Sequence, residues 1–456
     1  MFNKQPPSSL FHRLSPAQIL LSYYLIAIII SAAILSLPFV YKQGVDIAFI
    51  DILFTAVSAL SVTGLTTISI GDSFSTIGLF VLAIILHLGA VGLMTVSTLI
   101  WLAIGKKIGL SERRLIMTDQ NQTTFGGMVQ MVKEIIYVVL IIECIGVVLL
   151  GTHFLKYFPT VSEAYLHGFF GTISAISNAG FSIENNSLIN YSHDYFVQSI
   201  IMFLIIFGAI GFPVLIEIKA FLLWNRKKKR NRRFRFSLFA KLTTTTFFIL
   251  IIVGTILIYL LDMNHFFIDK GWLESFFYAL FQSVTTRSSG LSTMDIGMFT
   301  ESNHLLLSLL MFIGASPSSA GGGIRTTTFA LVVIFIITYA RGGKKIRVFN
   351  REIYDEDLLK AVTVMILAIG FVFVSLLIIS IIEPFTMTQL FLEVTSAFGT
   401  VGLSLGVTNE LTWFSKVILM ILMFIGRIGV VTFLLSFRKE KQNEGVRYPK
   451  ERMIIG

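Results

Sequence analysis

The sequence predicts an all-α polytopic membrane protein: four parallel helix–pore-loop–helix repeats in pseudo-fourfold arrangement, with eight transmembrane helices and four re-entrant pore helices. Three observations predict it. Apolar residues fill 55% of the 456 positions and charged ones 14%, with a mean hydropathy of +0.81, so lipid is the solvent for most of the chain. The basic residues gather in three groups, each just beyond a long apolar segment. Between them one order of features recurs four times.

Residues 1–16 read as a cytosolic N-terminal segment. Ile19–Val40 and Val362–Ile382 are long enough to cross hydrocarbon as helices, which takes roughly 20 residues. The first follows Lys4, His12 and Arg13 but is too long for a signal-peptide core and ends in Pro38-Phe39-Val40. It is an uncleaved first span. Cys144, the one cysteine, excludes a disulfide within the chain and reads as a small buried core residue.

The net charge of +10 raises the question of nucleic acid, and the positions of the charges answer it. Lys106, Lys107, Arg113 and Arg114 form one group, Arg226 to Arg235 a second, and Arg341, Lys344, Lys345, Arg347 and Arg351 a third. Lys and Arg flanking spans are retained on the cytoplasmic side. Attraction to anionic membrane lipid follows as a by-product, and no nucleic-acid partner is expected. The groups divide the chain into repeats at 17–115, 116–230, 231–350 and 351–440, with a C-terminal tail at 441–456.

Each repeat has an apolar helix, a shorter amphipathic segment ending in a small-residue turn, and a second apolar helix carrying a glycine pair. The turns read Ser61-Val62-Thr63-Gly64-Leu65, Ser177-Asn178-Ala179-Gly180-Phe181, Arg287-Ser288-Ser289-Gly290-Leu291 and Gly399-Thr400-Val401-Gly402-Leu403. Ser58, Ser174 and Ser396 stand at one register ahead of their glycines, with Val284 in that place in the third copy. The second helices bring Gly89-Ala90-Val91-Gly92, Gly208-Ala209-Ile210-Gly211, Gly314-Ala315-Ser316-Pro317 and Gly426-Arg427-Ile428-Gly429 at nearly constant spacing. Segments such as Phe54–Leu60 and Tyr278–Thr285 are too short to span and lead into irregular backbone, so they re-enter around a central aqueous path.

A re-entrant helix places its partially negative C-terminal end near the membrane centre, where a cation is favoured. The backbone that follows offers carbonyls in place of hydration water, and its alternating dihedrals require positive φ, which glycine reaches without strain. One glycine per repeat gives one ring of four. The expected selectivity filter is therefore Val62, Thr63, Gly64, Asn178, Ala179, Gly180, Ser288, Ser289, Gly290, Thr400, Val401 and Gly402.

The third repeat departs from the others. Ala315, Ser316, Pro317, Ser318, Ser319, Ala320, Gly321, Gly322 and Gly323, followed by Ile324 and Arg325, cannot continue as a helix in an apolar run. The break is confined to this repeat and must face a cavity. A linker between spans is the plain reading and an intramembrane gate the functional one. Arg427 lies between Val417–Ile425 and Ile428–Leu435, as a structural arginine bonded to helix carbonyls or as a charge bordering the pore near the gate. Glu143, Glu217 and His87 read as helix-packing or interface groups. The seven histidines are scattered singly, so no enzyme is expected. The repeats run parallel, unlike the inverted halves of many organic-solute transporters.

The four turns, the segment Gly314–Arg325, the Gly426-Arg427-Ile428-Gly429 motif and a tail with Arg447-Tyr448-Pro449-Lys450 ending in Gly456 together resemble the Trk/Ktr/HKT superfamily of potassium transporters. The likeness covers nearly the whole chain and is closest to the transmembrane subunit of the bacterial Ktr uptake system. The resemblance implies potassium uptake across the plasma membrane, with potassium held at the filter carbonyls and cytoplasmic N- and C-termini. It further implies a homodimer with one pore per protomer, a flexible intramembrane gate, and a separate cytosolic RCK-type ring of nucleotide-binding regulatory subunits. No tightly bound cofactor is expected; sodium is a candidate activator or symported ion, and a less selective potassium/sodium channel without coupling is the alternative. The chain carries no Gly-x-Gly-x-x-Gly phosphate loop, in agreement with nucleotide control on another polypeptide.

Overall fold

A computed structural model describes residues 14–105, 108–120, 127–226, 234–343, 345–437 and 451. Lys106, Lys107, Lys344, residues 227–233 and the tail motif lie outside the described residues. Among the described residues four helices are long and apolar enough to cross a membrane, one opening each repeat: α1 (Pro16–Leu35), with α7 (Met128–Phe154), α11 (Leu238–Asp262) and α15 (Asp355–Ile382) to follow in chain order. Repeat 1 continues with α2 (Phe49–Ser61), α3 (Ile70–Ser73), α4 (Thr76–Val91) and α5 (Leu93–Ala103), and α6 (Leu110–Asp119) leads out of it. Repeat 2 adds α8 (Val161–Ser177), α9 (Tyr195–Ala209) and α10 (Phe212–Arg226) to α7. Repeat 3 adds α12 (Trp272–Thr285), α13 (Glu301–Phe312) and α14 (Thr326–Ala340) to α11, then a short hairpin of β1 (Arg347–Val348) and β2 (Arg351–Glu352). Repeat 4 adds α16 (Met387–Gly399), α17 (Trp413–Ile428) and α18 (Val430–Ser436) to α15.

The helix starts follow from local sequence. Ser15 and Gln18 form a capping box with Pro16 in the first turn of α1, and Thr386 and Gln389 form another at α16. The Gln18 amide also donates to the Ser436 carbonyl at 2.8 Å, tying the start of α1 to the end of α18. The fourfold arrangement closes again between Lys416 of α17 and Asp51 in the first turn of α2, 2.9 Å apart. Long runs of exposed Ile, Leu and Phe on α1, α7, α11 and α15 are the lipid-facing surface of these spans. Cys144 belongs to that surface: it is exposed on α7, not buried as expected, because in lipid a small apolar thiol needs no protein cover.

The four short helices α2, α8, α12 and α16 are the re-entrant ones, and each ends in buried residues at the molecular centre. The second helices bring a correction. The sequence confines a break to repeat 3, whereas α4 and α5 meet at 99°, α9 and α10 at 106°, and α17 and α18 at 99°. The bends fall at Gly92, Gly211 and Gly429, with φ of 96°, 100° and 92°, where glycine alone turns without strain. The partner glycine of each pair has a different task. A methyl at Gly89, Gly208 or Gly426 would collide with the Leu60, Ile176 or Phe398 carbonyl, each in the last turn of that repeat's re-entrant helix. One glycine lets the second helix lie against the re-entrant helix and the other turns it, which accounts for the recurrent pair. In repeat 3 the α13 and α14 halves are separated by a loop, and Gly314 packs on Gly322 of that loop.

Candidate ion pathway and gate

Helices α2, α8 and α16 stop at Val62, Asn178 and Thr400, whose φ values of 59°, 55° and 49° are left-handed. The next amides, of Thr63, Ala179 and Val401, donate back to the carbonyls of Ser58, Ser174 and Ser396 at 2.8, 2.8 and 2.9 Å. Such a conformation costs about 1–2 kcal/mol in a residue with a β-carbon and is least natural for Val and Thr. Three repeats carry that strain at one register, and in repeat 3 the positive φ falls on Ser288, at 90°. The serines ahead of the turns are their supports: Ser58 and Ser396 accept from the Gly64 and Gly402 amides, both at 3.0 Å, and Ser174 donates to the Phe181 carbonyl at 2.6 Å. Val284 has no hydroxyl to give, and Thr285 beside it donates to the Leu291 carbonyl at 2.6 Å.

The four turn glycines, Gly64, Gly180, Gly290 and Gly402, have φ of 91°, 69°, 75° and 97° and form a closed ring. A methyl on Gly64 would strike the Ala179 carbonyl, on Gly180 the Ser289 carbonyl, on Gly290 the Val401 carbonyl, and on Gly402 the Thr63 carbonyl. Each glycine therefore lies against the carbonyl preceding the next repeat's glycine. The large apolar residues that follow, Leu65, Phe181, Leu291 and Leu403, are all buried and anchor the turns from behind.

The ring is the floor of a cavity of about 400 Å³, walled by the segments leaving the turns, among them Thr66–Ile70, Ser182–Ser187 and Leu403–Gly406. Asp72 stands beside its rim on α3. Its carboxylate accepts from Asn185 at 2.6 Å and from Ser69 at 2.8 Å. The bonds from Asn185 and Ser69 hold it below the usual carboxylate range. Glu184 lines the cavity and accepts from Tyr191 at 2.5 Å.

Beneath the ring lies the loop of repeat 3. It is buried from Gly314 to Ile324 apart from the half-buried Pro317, packed among the other repeats where the sequence suggested exposure to a cavity. The broken second helices make this possible, because they leave carbonyls without helical partners. Ser316 and Ala320 amides donate to the Ala209 and Gly208 carbonyls, both at 3.0 Å, and the Gly323 amide to Gly426 at 3.2 Å. Arg325 donates to Gly321 and, at 3.4 Å, to Ser316. Ser318 and Ser319 border a small cavity shared with Asp119, Arg325 and Arg427.

Arg427 answers the first of the two readings offered by the sequence. It donates to the Ala320 carbonyl of the loop and to Gly89 and Ala90 at the end of α4, the last at 3.0 Å. It is a structural arginine satisfied by backbone carbonyls of α4 and of the loop. His87 and Glu143 pair at 3.0 Å between α4 and α7, and Glu217 accepts from the Ser237 amide at 3.0 Å and its hydroxyl at 2.6 Å, holding the start of α11. These are packing roles, as expected.

Three residues escaped the sequence reading. Gln120 donates to the Val91 carbonyl at 3.2 Å and to Thr95 at 3.0 Å, beside the Gly92 bend, and its own carbonyl accepts from Ser318. Asp119 sits 3.5 Å from the Tyr24 hydroxyl. Nothing in a polar linker marks either one. Arg287 is fully buried and donates to the Leu310 carbonyl at 2.6 Å, near the end of α13. Its signal was legible, since an arginine inside a membrane turn requires a partner.

Comparisons with known proteins agree with this architecture. Residues 11–447 match the family model described as TrkH, cation transport protein. The chain is 52% identical over 98% of its length to the Ktr system potassium uptake protein D of Bacillus subtilis, covering 98% of that protein. It is 36% identical to the Ktr system potassium uptake protein B of the same organism, over 97% of both chains. The potassium/sodium uptake protein NtpJ of Enterococcus hirae is 30% identical over 97% of this chain and 98% of that one. The crystal structure of the potassium transporter TrkH from Vibrio parahaemolyticus shares the fold, with a TM-score of 0.72 at 21% identity over 96% of this chain and 87% of the other. The chain therefore belongs to the TrkH family of cation transport proteins within the Trk/Ktr/HKT superfamily, a multi-pass membrane transporter and not an enzyme.

Proposed function

We propose that this chain is the pore-forming subunit of a potassium-uptake system of the plasma membrane. The ring of glycine turns is its selectivity filter, with potassium held by carbonyls, and Ala315–Arg325 with Arg427 is its gate. The observation that carries the reading is the closed cycle in which each turn glycine abuts the carbonyl before the next. Orientation follows from charge: the cavity faces outward, and the tied ends of α1 and α18 face the cytoplasm with the basic groups. The Ktr relatives are named as parts of a system, which supports a cytosolic, nucleotide-binding regulatory ring as partner and a homodimer as the working unit. Sodium enters as an activator or coupled ion. The relative named for potassium and sodium uptake favours, as a second reading, a less selective channel without coupling.

The test is growth rescue of a potassium-uptake-deficient bacterium at low external potassium, followed by rubidium uptake into proteoliposomes with and without sodium. Rescue that fails in the presence of the partner ring, with the chain folded in the membrane, removes the potassium reading. Sodium entering as fast as rubidium selects the channel reading.

Two smaller effects belong here. Asp72→Asn should lower uptake at low ionic strength by no more than about threefold and have little effect at high salt, since a rim charge acts by steering that screens away. A loss that persists at high salt would give Asp72 a structural part. Arg427→Gln should change the maximal rate more than ion preference, because the guanidinium donates to the loop and to the end of α4. Equal changes in rate and in potassium over sodium preference would move it into the selective site.

A further inference from the structure

Ser288 is fully buried in the third turn, with a φ of 90° that serves no helix cap. Its hydroxyl donates to the Thr400 carbonyl at 2.7 Å, with Thr400 Oγ1 at 3.2 Å and the Gly399 carbonyl at 3.3 Å. The same hydroxyl accepts from the Gly322 amide of the loop at 3.2 Å. A hydroxyl has one proton and two lone pairs, so both bonds form at once and each polarises the other. One side chain thereby joins the turn of repeat 3, the turn of repeat 4 and the loop beneath them.

The surrounding glycines are what permit this approach. A methyl on Gly321 would lie 2.5 Å from Ser288 Cβ, and one on Gly322 would lie 2.5 Å from Thr400 Oγ1. The Gly321-Gly322-Gly323 run is therefore a contact surface against two turns as well as a flexible stretch. Val62 and Asn178, at the matching register in repeats 1 and 2, carry no hydroxyl. The link is particular to the repeat that owns the loop.

We infer that Ser288 is a positioning residue that couples the loop to the ion-selecting turns: the Gly322 amide holds the Ser288 hydroxyl on the Thr400 carbonyl. The inference rests on the filter and gate assignments made above. When the loop withdraws, the hydroxyl loses its donor and is free to rotate, and the Thr400 carbonyl, two residues before Gly402, loses its fixed partner. Ion affinity at the ring then depends on the state of the loop, so gate and filter do not act independently.

The experiment is a double-mutant cycle on the full chain in proteoliposomes, reading rubidium uptake for its maximal rate and its apparent KM. The variants are Ser288→Ala, a deletion of Ser318–Gly322, and the two combined. In the wild-type background the deletion should shift KM by roughly two- to tenfold, the range one buried hydrogen bond carries, as well as raising the rate. Ser288→Ala alone should shift KM by a similar factor, and the deletion made in that background should change the rate only. Ser288→Gly, which also drops the hydroxyl but removes the strain at φ 90°, should reproduce the same KM and serves if the alanine variant folds poorly. Ser288→Ala and Ser288→Gly with wild-type KM, or a deletion that shifts KM equally in both backgrounds, would overturn the coupling. A deletion that raises the rate and leaves KM untouched overturns the coupling while the gate stands; one that changes neither overturns both.

Discussion

Serine at Gly64, Gly180, Gly290 or Gly402 is expected to lower the preference for potassium over sodium by roughly tenfold or more, the equivalent of about 1.4 kcal/mol. Two effects add. Each glycine holds φ between 69° and 97°, which costs a residue with a β-carbon about 1 kcal/mol or more. Each new β-carbon also meets the neighbouring repeat: at Gly64 it would lie 2.9 Å from the Gly180 α-carbon, at Gly290 2.9 Å from Gly402, and at Gly402 3.0 Å from Gly64. Displacing one turn therefore displaces the next, and the ring transmits the error. All four variants should share one phenotype despite their different local sequences, as measured by sodium competition against rubidium uptake. Four variants with wild-type discrimination would show that the selective point lies elsewhere.

Deleting Ser318–Gly322 is expected to raise maximal uptake, roughly tenfold if the obstructing arrangement is favoured by about 1.4 kcal/mol. The segment fills the space beneath the ring and is held from three sides, by Gly208 and Phe212 of repeat 2, by Arg427 of repeat 4, and through Ser288 and Arg325 within repeat 3. Removing it also takes away the Ala320 and Gly321 carbonyls that Arg427 uses. A buried guanidinium with fewer partners costs of order 1–3 kcal/mol, so thermal unfolding in detergent should fall along with the rise in rate. Adding Arg427→Gln to the deletion should recover part of that stability. A folded deletion variant with unchanged maximal rate, with and without the cytosolic partner, would remove this segment from gating.

Much of this was legible in one sequence because lipid leaves few solutions. Backbone must be satisfied inside the membrane, so apolar runs had to be helices, and short ones followed by Gly, Ser and Thr had to re-enter. The turn glycines and their apolar anchors came from recurrence at fixed register, and the loop of repeat 3 from its departure from that recurrence. Misreadings arose where the sequence shows a residue without its neighbour. Gly92, Gly211 and Gly429 were seen as members of pairs, but that they bend their helices by 99–106° depends on what packs at the bend. The burial of Cys144 was misjudged because core and lipid are equally apolar, so composition does not distinguish a face turned inward from one turned outward.

What the sequence by itself determined is the order of span, re-entrant helix and glycine turn within each repeat, since helix length and positive φ at glycine are local properties. The tertiary structure alone decided how the turns meet and which loop packs beneath them. The cycle from Gly64 through Gly180 and Gly290 to Gly402 joins residues more than 100 positions apart, and no local property orders them. Likewise, the carbonyls freed at Gly89, Ala90 and Val91 by one bent helix are satisfied by Arg427 and Gln120 from elsewhere in the chain. Broken helices expose backbone acceptors at membrane depth, and hydrogen bonding there is obligatory. Which side chains answer is settled by where the other repeats bring them.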